Sequence, residues 1–156
     1  MIEKEVCIPY CEYSAGEPLS EEIVNLITMA KEAAAKAYAP YSGYHVGVAI
    51  ELEDGSRFTA SNQENKAYPS GLCAERVGIF FVQANHPDIP IRRMVLLAIQ
   101  NGQLTHEPPY PCGSCRQVMV EAEERQLKPI ELWIISQSKI LRIDSADYLM
   151  PLKFVF

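Results

Sequence analysis

Three cysteines constrain this chain more than any other feature. Pro111-Cys112-Gly113-Ser114-Cys115 opens one predicted helix, and Cys73-Ala74-Glu75 opens another. Sulfurs at i and i+3 lie on one face of a first helical turn. Helix N-termini lower thiol pKa values, and thiolates are what soft metals bind. Three thiolates on two helix starts make a three-point clamp, which obliges the fold to bring residues 73 and 112 together. The clamp leaves the fourth tetrahedral position of a zinc ion open, the mark of a catalytic site rather than a closed structural one. Glu75, two residues after Cys73, can reach a water at that position without ligating the metal. Zinc lowers the pKa of water from about 15.7 to about 7, and a neighbouring carboxylate can take that proton and pass it on. Arg76 brings a cation to a cluster of three thiolates and one Zn²⁺, which is net anionic.

The rest of the chain supplies a frame of alternating elements. Residues 2–13 read as a strand, so 1–19 form an N-terminal extension ahead of the first helix. Ser20 suits a helix N-cap, and Glu21 and Glu22 follow where the helix dipole favours acids. Ile23, Ile27, Ala30, Ala34 and Ala37 make an apolar stripe for a core, and Pro40 stops the run. Residues 44–52 and 57–61 read as a hairpin turning at Asp54-Gly55. Residues 73–84 suit a helix with Val77, Phe80, Phe81 and Ala84 on one side. Residues 92–99 form the continuous apolar run of a strand buried on both faces. A loop to Pro111, a helix over 112–125, strands at 130–136 and 140–143, and a short helix at 145–149 complete the chain. No linker or repeat interrupts it, so residues 1–156 are expected to form one α/β domain, three layers around a mixed sheet.

Composition excludes several partners. The 20 acidic residues outnumber the 14 basic ones and give a net charge of −6. Without a basic cluster there is no electrostatic footprint for nucleic acid or an anionic membrane. The opening MIEKEVCIPYCEY lacks the pattern of a signal peptide, and apolar stretches such as residues 94–99 are far too short for a membrane span. Five cysteines without an export signal imply a cytoplasmic protein with free thiols. Cys7 and Cys11 are expected to be buried and structural.

The motifs resemble those of a known family, the small cytidine deaminases of the tetrameric, three-cysteine type. Zinc deaminases share an H-x-E…P-C-x-x-C arrangement with a glutamate that is not a ligand, and here Cys73 stands at the first position. The resemblance runs from about Tyr38 to the tail through YAPYSGYHVGVAI, NQEN, CAER, PCGSCRQV and YLMPLKF. It implies a cytidine-deaminase-like α/β/α sandwich with a central five-stranded sheet, one zinc per chain, and a homotetramer. It further implies deamination of cytidine and 2′-deoxycytidine in pyrimidine salvage. Residue by residue, Cys73, Cys112 and Cys115 match the zinc ligands and Glu75 the proton shuttle. Asn62 and Glu64 match the pair that holds the ribose hydroxyls, with Ala74 also at the substrate. Tyr44 stands where the family has a Phe packing on the pyrimidine, so its hydroxyl needs a partner. Phe154 matches an aromatic that reaches a neighbouring subunit's site, and His45 stands where the family has proline.

Two rival readings accompany this one. A zinc deaminase could take another substrate: a blasticidin-like nucleoside antibiotic, a free base or a nucleotide. NQEN argues for a free nucleoside, because a carboxylate at Glu64 accepts from sugar hydroxyls and repels phosphate. A non-catalytic zinc or redox module would use Cys112-x-x-Cys115 alone, leaving Cys73 and Glu75 unexplained. His86 and His106 lack ligand spacing to any cysteine.

Overall fold

Polar caps and apolar periodicity set the elements of the computed structural model, which describes residues 1–154. Ser20 caps α1 (Glu21–Ala34), its side chain accepting from the Ile23 amide, with both expected acids in the first turn. The hairpin forms as β2 (His45–Leu52) and β3 (Arg57–Ser61), followed by α2 (Ala74–Asn85) and β4 (Ile91–Gln100). Then come α3 (Gly113–Gln126), β6 (Glu131–Ile135), β7 (Lys139–Ile143) and a 3-10 helix at Ala146–Leu149. The sheet has seven strands, two short ones more than the five that the resemblance implied. The predicted N-terminal strand over 2–13 shrinks to β1 (Cys11–Ser14), which adds to the β7 edge, and β5 (Gln103–Leu104) folds back on β4 inside the predicted loop.

The sheet runs in the order β1-β7-β6-β4-β2-β3. β2 pairs antiparallel with both β3 and β4, so β3 and β4 point the same way. This direction decides where the site lies. α2 follows β3 and α3 follows β4, so both helices start at the same end of the sheet.

Alternation along β4 divides the core into two layers, as a strand buried on both faces must. Met94 and Leu96 pack under α2 and α3 with Val48, Ile50 and Leu132. Val95 and Leu97 face α1 with Ala49, Trp133 and Ile135. The expected three-layer sandwich is formed.

Glycine sets the spacing on each side. A β-carbon at Gly47 would lie 2.0 Å from the Ala30 carbonyl oxygen and 2.6 Å from the Ala34 amide nitrogen. A β-carbon at Gly78 would meet the Ile50 side chain at 2.7 Å. That close approach corrects the expected face of α2. Gly78, Ile79 and Val82 are buried, while Phe80 and Phe81 are 45% and 52% exposed. A helix lying flat on a sheet meets it at its small residue, and the large rings turn outward. Cys7 and Cys11 are likewise exposed rather than buried, because most of the N-terminal segment lies outside the core.

Glu123, on the last turns of α3, is buried and accepts four hydrogen bonds. The donors are the amides of Ile130 (2.6 Å), Ala146 (2.6 Å) and Asp147 (3.0 Å) and the Ser145 hydroxyl (2.8 Å). One carboxylate thereby fixes the start of the C-terminal 3-10 helix against α3.

Candidate active site

Both metal-binding helices begin on a cysteine. Cys73 is the N-cap of α2 and Cys112 the N-cap of α3, each with extended backbone. Cys115 lies one turn into α3 and is fully buried. The Cys73 and Cys112 sulfurs are 3.9 Å apart and those of Cys112 and Cys115 3.4 Å apart, and all three lie within 4.8 Å of one another. Zn–S bonds of about 2.3 Å at tetrahedral angles place sulfurs about 3.8 Å apart, so the donor set fits zinc. A redox pair would not need the third sulfur.

The groups around the sulfurs favour a thiolate at Cys73. Hydrogen bonding from Cys115 draws the Cys73 thiol down to about 5 against the effect of burial, and Arg76 helps. Cys115 moves the other way, held protonated by its bond to Cys73 and by burial. Burial works against the Arg76 charge, yet the Cys73 and Cys115 sulfurs beside it outweigh that and raise its pKa. Its Nε is buried without a hydrogen-bond partner among the described residues, as suits a cation aimed at an anionic cluster. Glu75 is 4% exposed, and burial lifts its carboxyl above the usual carboxylate range, with the Cys73 charge adding to the effect.

A cavity of about 550 Å³ lies over this cluster, walled by Tyr44, Asn62, Glu64, Cys73, Glu75 and Cys112 among others. Residues far apart in sequence therefore meet around one space. Ala74 is fully buried and does not line it, and Phe154, 77% exposed, is not on the wall of its own chain's cavity. Burial raises the pKa of the Tyr44 hydroxyl, with the neighbouring Thr105 working the other way.

Asn62 and Glu64 have a structural task that their sequence positions did not disclose. Asn62 Oδ1 accepts from the Val46 amide at 2.8 Å, and its Nδ2 donates to the Tyr44 carbonyl at 2.9 Å. Glu64 accepts from the amides of Tyr41 (2.9 Å) and Ser42 (3.3 Å) and from the Ser42 hydroxyl, which chiefly holds its carboxyl below the usual range. The two side chains thus brace residues 41–46 as well as facing the cavity. The available signal was the turn Tyr41-Ser42-Gly43, whose amides need acceptors. Between them Gln63 exchanges two 2.9 Å backbone bonds with Leu72, which ties the segment to the start of α2.

Comparison with known proteins matches this assembly to a family. Residues 20–128 match the model of the cytidine and deoxycytidylate deaminase zinc-binding region. The chain is 38% identical to a cytidine deaminase of Sporosarcina psychrophila over 100 residues, 64% of this chain and 69% of that one. It is 40% identical to a cytidine deaminase of Halalkalibacterium halodurans over 96 residues, 62% and 68% of the two chains. The crystal structure of a cytidine deaminase from Burkholderia pseudomallei superposes with a TM-score of 0.71 at 35% identity, covering 87% of this chain and all of the other. The Mycobacterium tuberculosis cytidine deaminase structure gives 0.66 at 26% identity, covering 88% and 100%. The matched region contains both cysteine-capped helix starts, Glu75 and the polar wall of the cavity, and the chain belongs to the cytidine and deoxycytidylate deaminase family.

Proposed function

We infer that the protein deaminates cytidine, and with it 2′-deoxycytidine, by zinc-dependent hydrolysis that yields the uridine product and ammonia. The observation that carries this reading is the buried Glu75 beside three sulfurs at the floor of a nucleoside-sized cavity. Cys73, Cys112 and Cys115 would hold the zinc, which when bound supplies Lewis-acid activation of water. Glu75 takes a proton from that water and gives it to N3 of the base, making C4 electrophilic. After the hydroxyl adds to C4, Glu75 carries that hydroxyl's own proton to the exocyclic amine, and the C4 carbonyl forms as the C–N bond breaks and ammonia leaves. Arg76 balances the charge of the thiolates. Tyr44, on the cavity wall, supports the base. The loss of cytidine ultraviolet absorbance on mixing with purified protein tests the reading directly. Deoxycytidine, cytosine and cytidine monophosphate run alongside as the substrate panel.

Asn62 and Glu64 are assigned to the ribose, supported by their shared place on the cavity wall. Glu64→Ala is expected to lower kcat/KM for cytidine by roughly 10–100-fold, the worth of a hydrogen bond to a charged group. Activity on free cytosine should fall much less. Equal losses on both substrates would show that Glu64 serves only the Tyr41-Ser42 turn.

The active form is assigned as a homotetramer in the cytoplasm, working in pyrimidine salvage. Three reduced thiols suit a reducing compartment, and the outward Phe80, Phe81 and Phe154 suit burial between subunits. Among the described residues no helix is long and apolar enough to cross a membrane. Light scattering of the purified protein measures the assembly.

A further inference from the structure

The three sulfurs are not held in place equally. Cys115 is locked by the core, fully buried in the layer beneath α3. Cys73 is half-buried, and the backbone pairing of Gln63 with Leu72 anchors the residue just before it. Cys112 is exposed, so packing does little to fix it. The chain leading to it is Pro108-Pro109-Tyr110-Pro111, in which three of four residues have no amide proton to donate.

One side chain makes up for this. Arg116, in the first turns of α3, donates from Nε to the Pro111 carbonyl at 2.9 Å. The same guanidinium donates from Nη1 to the Leu149 carbonyl at 3.2 Å, at the end of the C-terminal 3-10 helix. Two bonds from one planar group fix its orientation as a single donor on a flexible stem would not. Pro111 is the residue immediately before the Cys112 cap. Its carbonyl therefore sets the direction from which the chain reaches the sulfur.

We propose that Arg116 is a positioning residue for Cys112, clamping the Pro111 carbonyl against the C-terminal 3-10 helix so that the exposed sulfur stays in register with Cys73 and Cys115. The inference rests on the zinc-site reading above. It does not touch the chemistry of deamination, because Arg116 meets neither the cavity nor a sulfur. Outer partners of metal ligands commonly contribute about 10–100-fold in metal affinity or activity.

The experiment measures zinc loss from the purified zinc-loaded protein to a chromophoric chelator, for wild type, Arg116→Met, Arg116→Lys and Glu123→Gln. Arg116→Met keeps the apolar stem and removes all donors, and is expected to release zinc about 10–100-fold faster. Arg116→Lys keeps the charge but can serve only one carbonyl well, and should fall between Met and wild type. Glu123→Gln loosens the C-terminal 3-10 helix but leaves the Arg116–Pro111 bond in place, and should release zinc more slowly than Arg116→Met. Zinc release by Arg116→Met at the wild-type rate would overturn the proposal. So would equal acceleration by Glu123→Gln, which would make Arg116 a staple of the C-terminus only. If Arg116→Met fails to fold, the Lys variant decides, since wild-type release from it would equally sink the clamp. Because the readout is metal release, the result stands apart from any failure of the deaminase reading, which would show as zinc-replete wild-type protein inert towards cytidine.

Discussion

Glu75→Gln is expected to keep wild-type zinc content and to lose at least ~10²–10⁴-fold in kcat, the loss typical of one general acid–base contact. The substitution preserves shape and burial at a site only 4% exposed. It removes the one property the reaction needs, a carboxylate that accepts a proton and gives it back. The sulfurs lie on Cys73, Cys112 and Cys115, so the metal should stay. Zinc measured per chain, next to steady-state turnover, separates the two outcomes. A variant with near-normal kcat would show that the proton travels by another group.

Gly47→Ala carries the largest expected loss of stability. The added methyl would meet the α1 backbone at Ala30 and Ala34, and backbone cannot rotate aside as a side chain can. Helix α1 would have to lift from the sheet, opening the layer built on Ala49, Val95 and Leu97. Overpacking of this kind costs at least about 1–3 kcal/mol, or roughly 3–10 °C in Tm for a chain of this size. α1 covers the sheet face opposite the sulfurs, so protein folded at low temperature should still bind zinc. Thermal unfolding followed by circular dichroism checks this, and an unchanged Tm would contradict the close approach.

The chemistry of the site was more legible in the sequence than its support. A ligand set declares itself through residue type and spacing, so Cys73, Glu75, Cys112 and Cys115 could be grouped before any fold was known. The meeting of the two helix starts followed from strand direction, which short apolar runs do not encode. Periodicity placed α1 with Ile23, Ala30 and Ala34 inward, but the buried Leu26 and Ala33 lay outside the expected stripe, and the helix ends at Ala34, short of Ala37 and Pro40. The same reasoning put Phe80 and Phe81 inward on α2, since hydrophobicity says nothing of how closely a helix can approach at Gly78. Tertiary fit overrode the hydrophobic pattern there. The bracing of residues 41–46 by Asn62 and Glu64 stayed hidden for another reason. Side-chain bonds to distant backbone amides leave no periodic trace.

Cys73 and Cys112 are 39 positions apart, on different helices, yet their sulfurs nearly touch. A metal held between them ties α2 to α3 and closes a long loop of chain, restricting the freedom that an unfolded polypeptide would regain. Binding energy at such a junction is also folding energy. By mass action, free zinc on the order of a thousand times Kd adds about 4 kcal/mol to the folded state. The seam between α2 and α3 is then the region most dependent on metal supply. In a cell short of zinc the first loss would be of protein lifetime, as unloaded chains open along that seam to proteases, and the measured activity would fall through abundance before it fell through turnover.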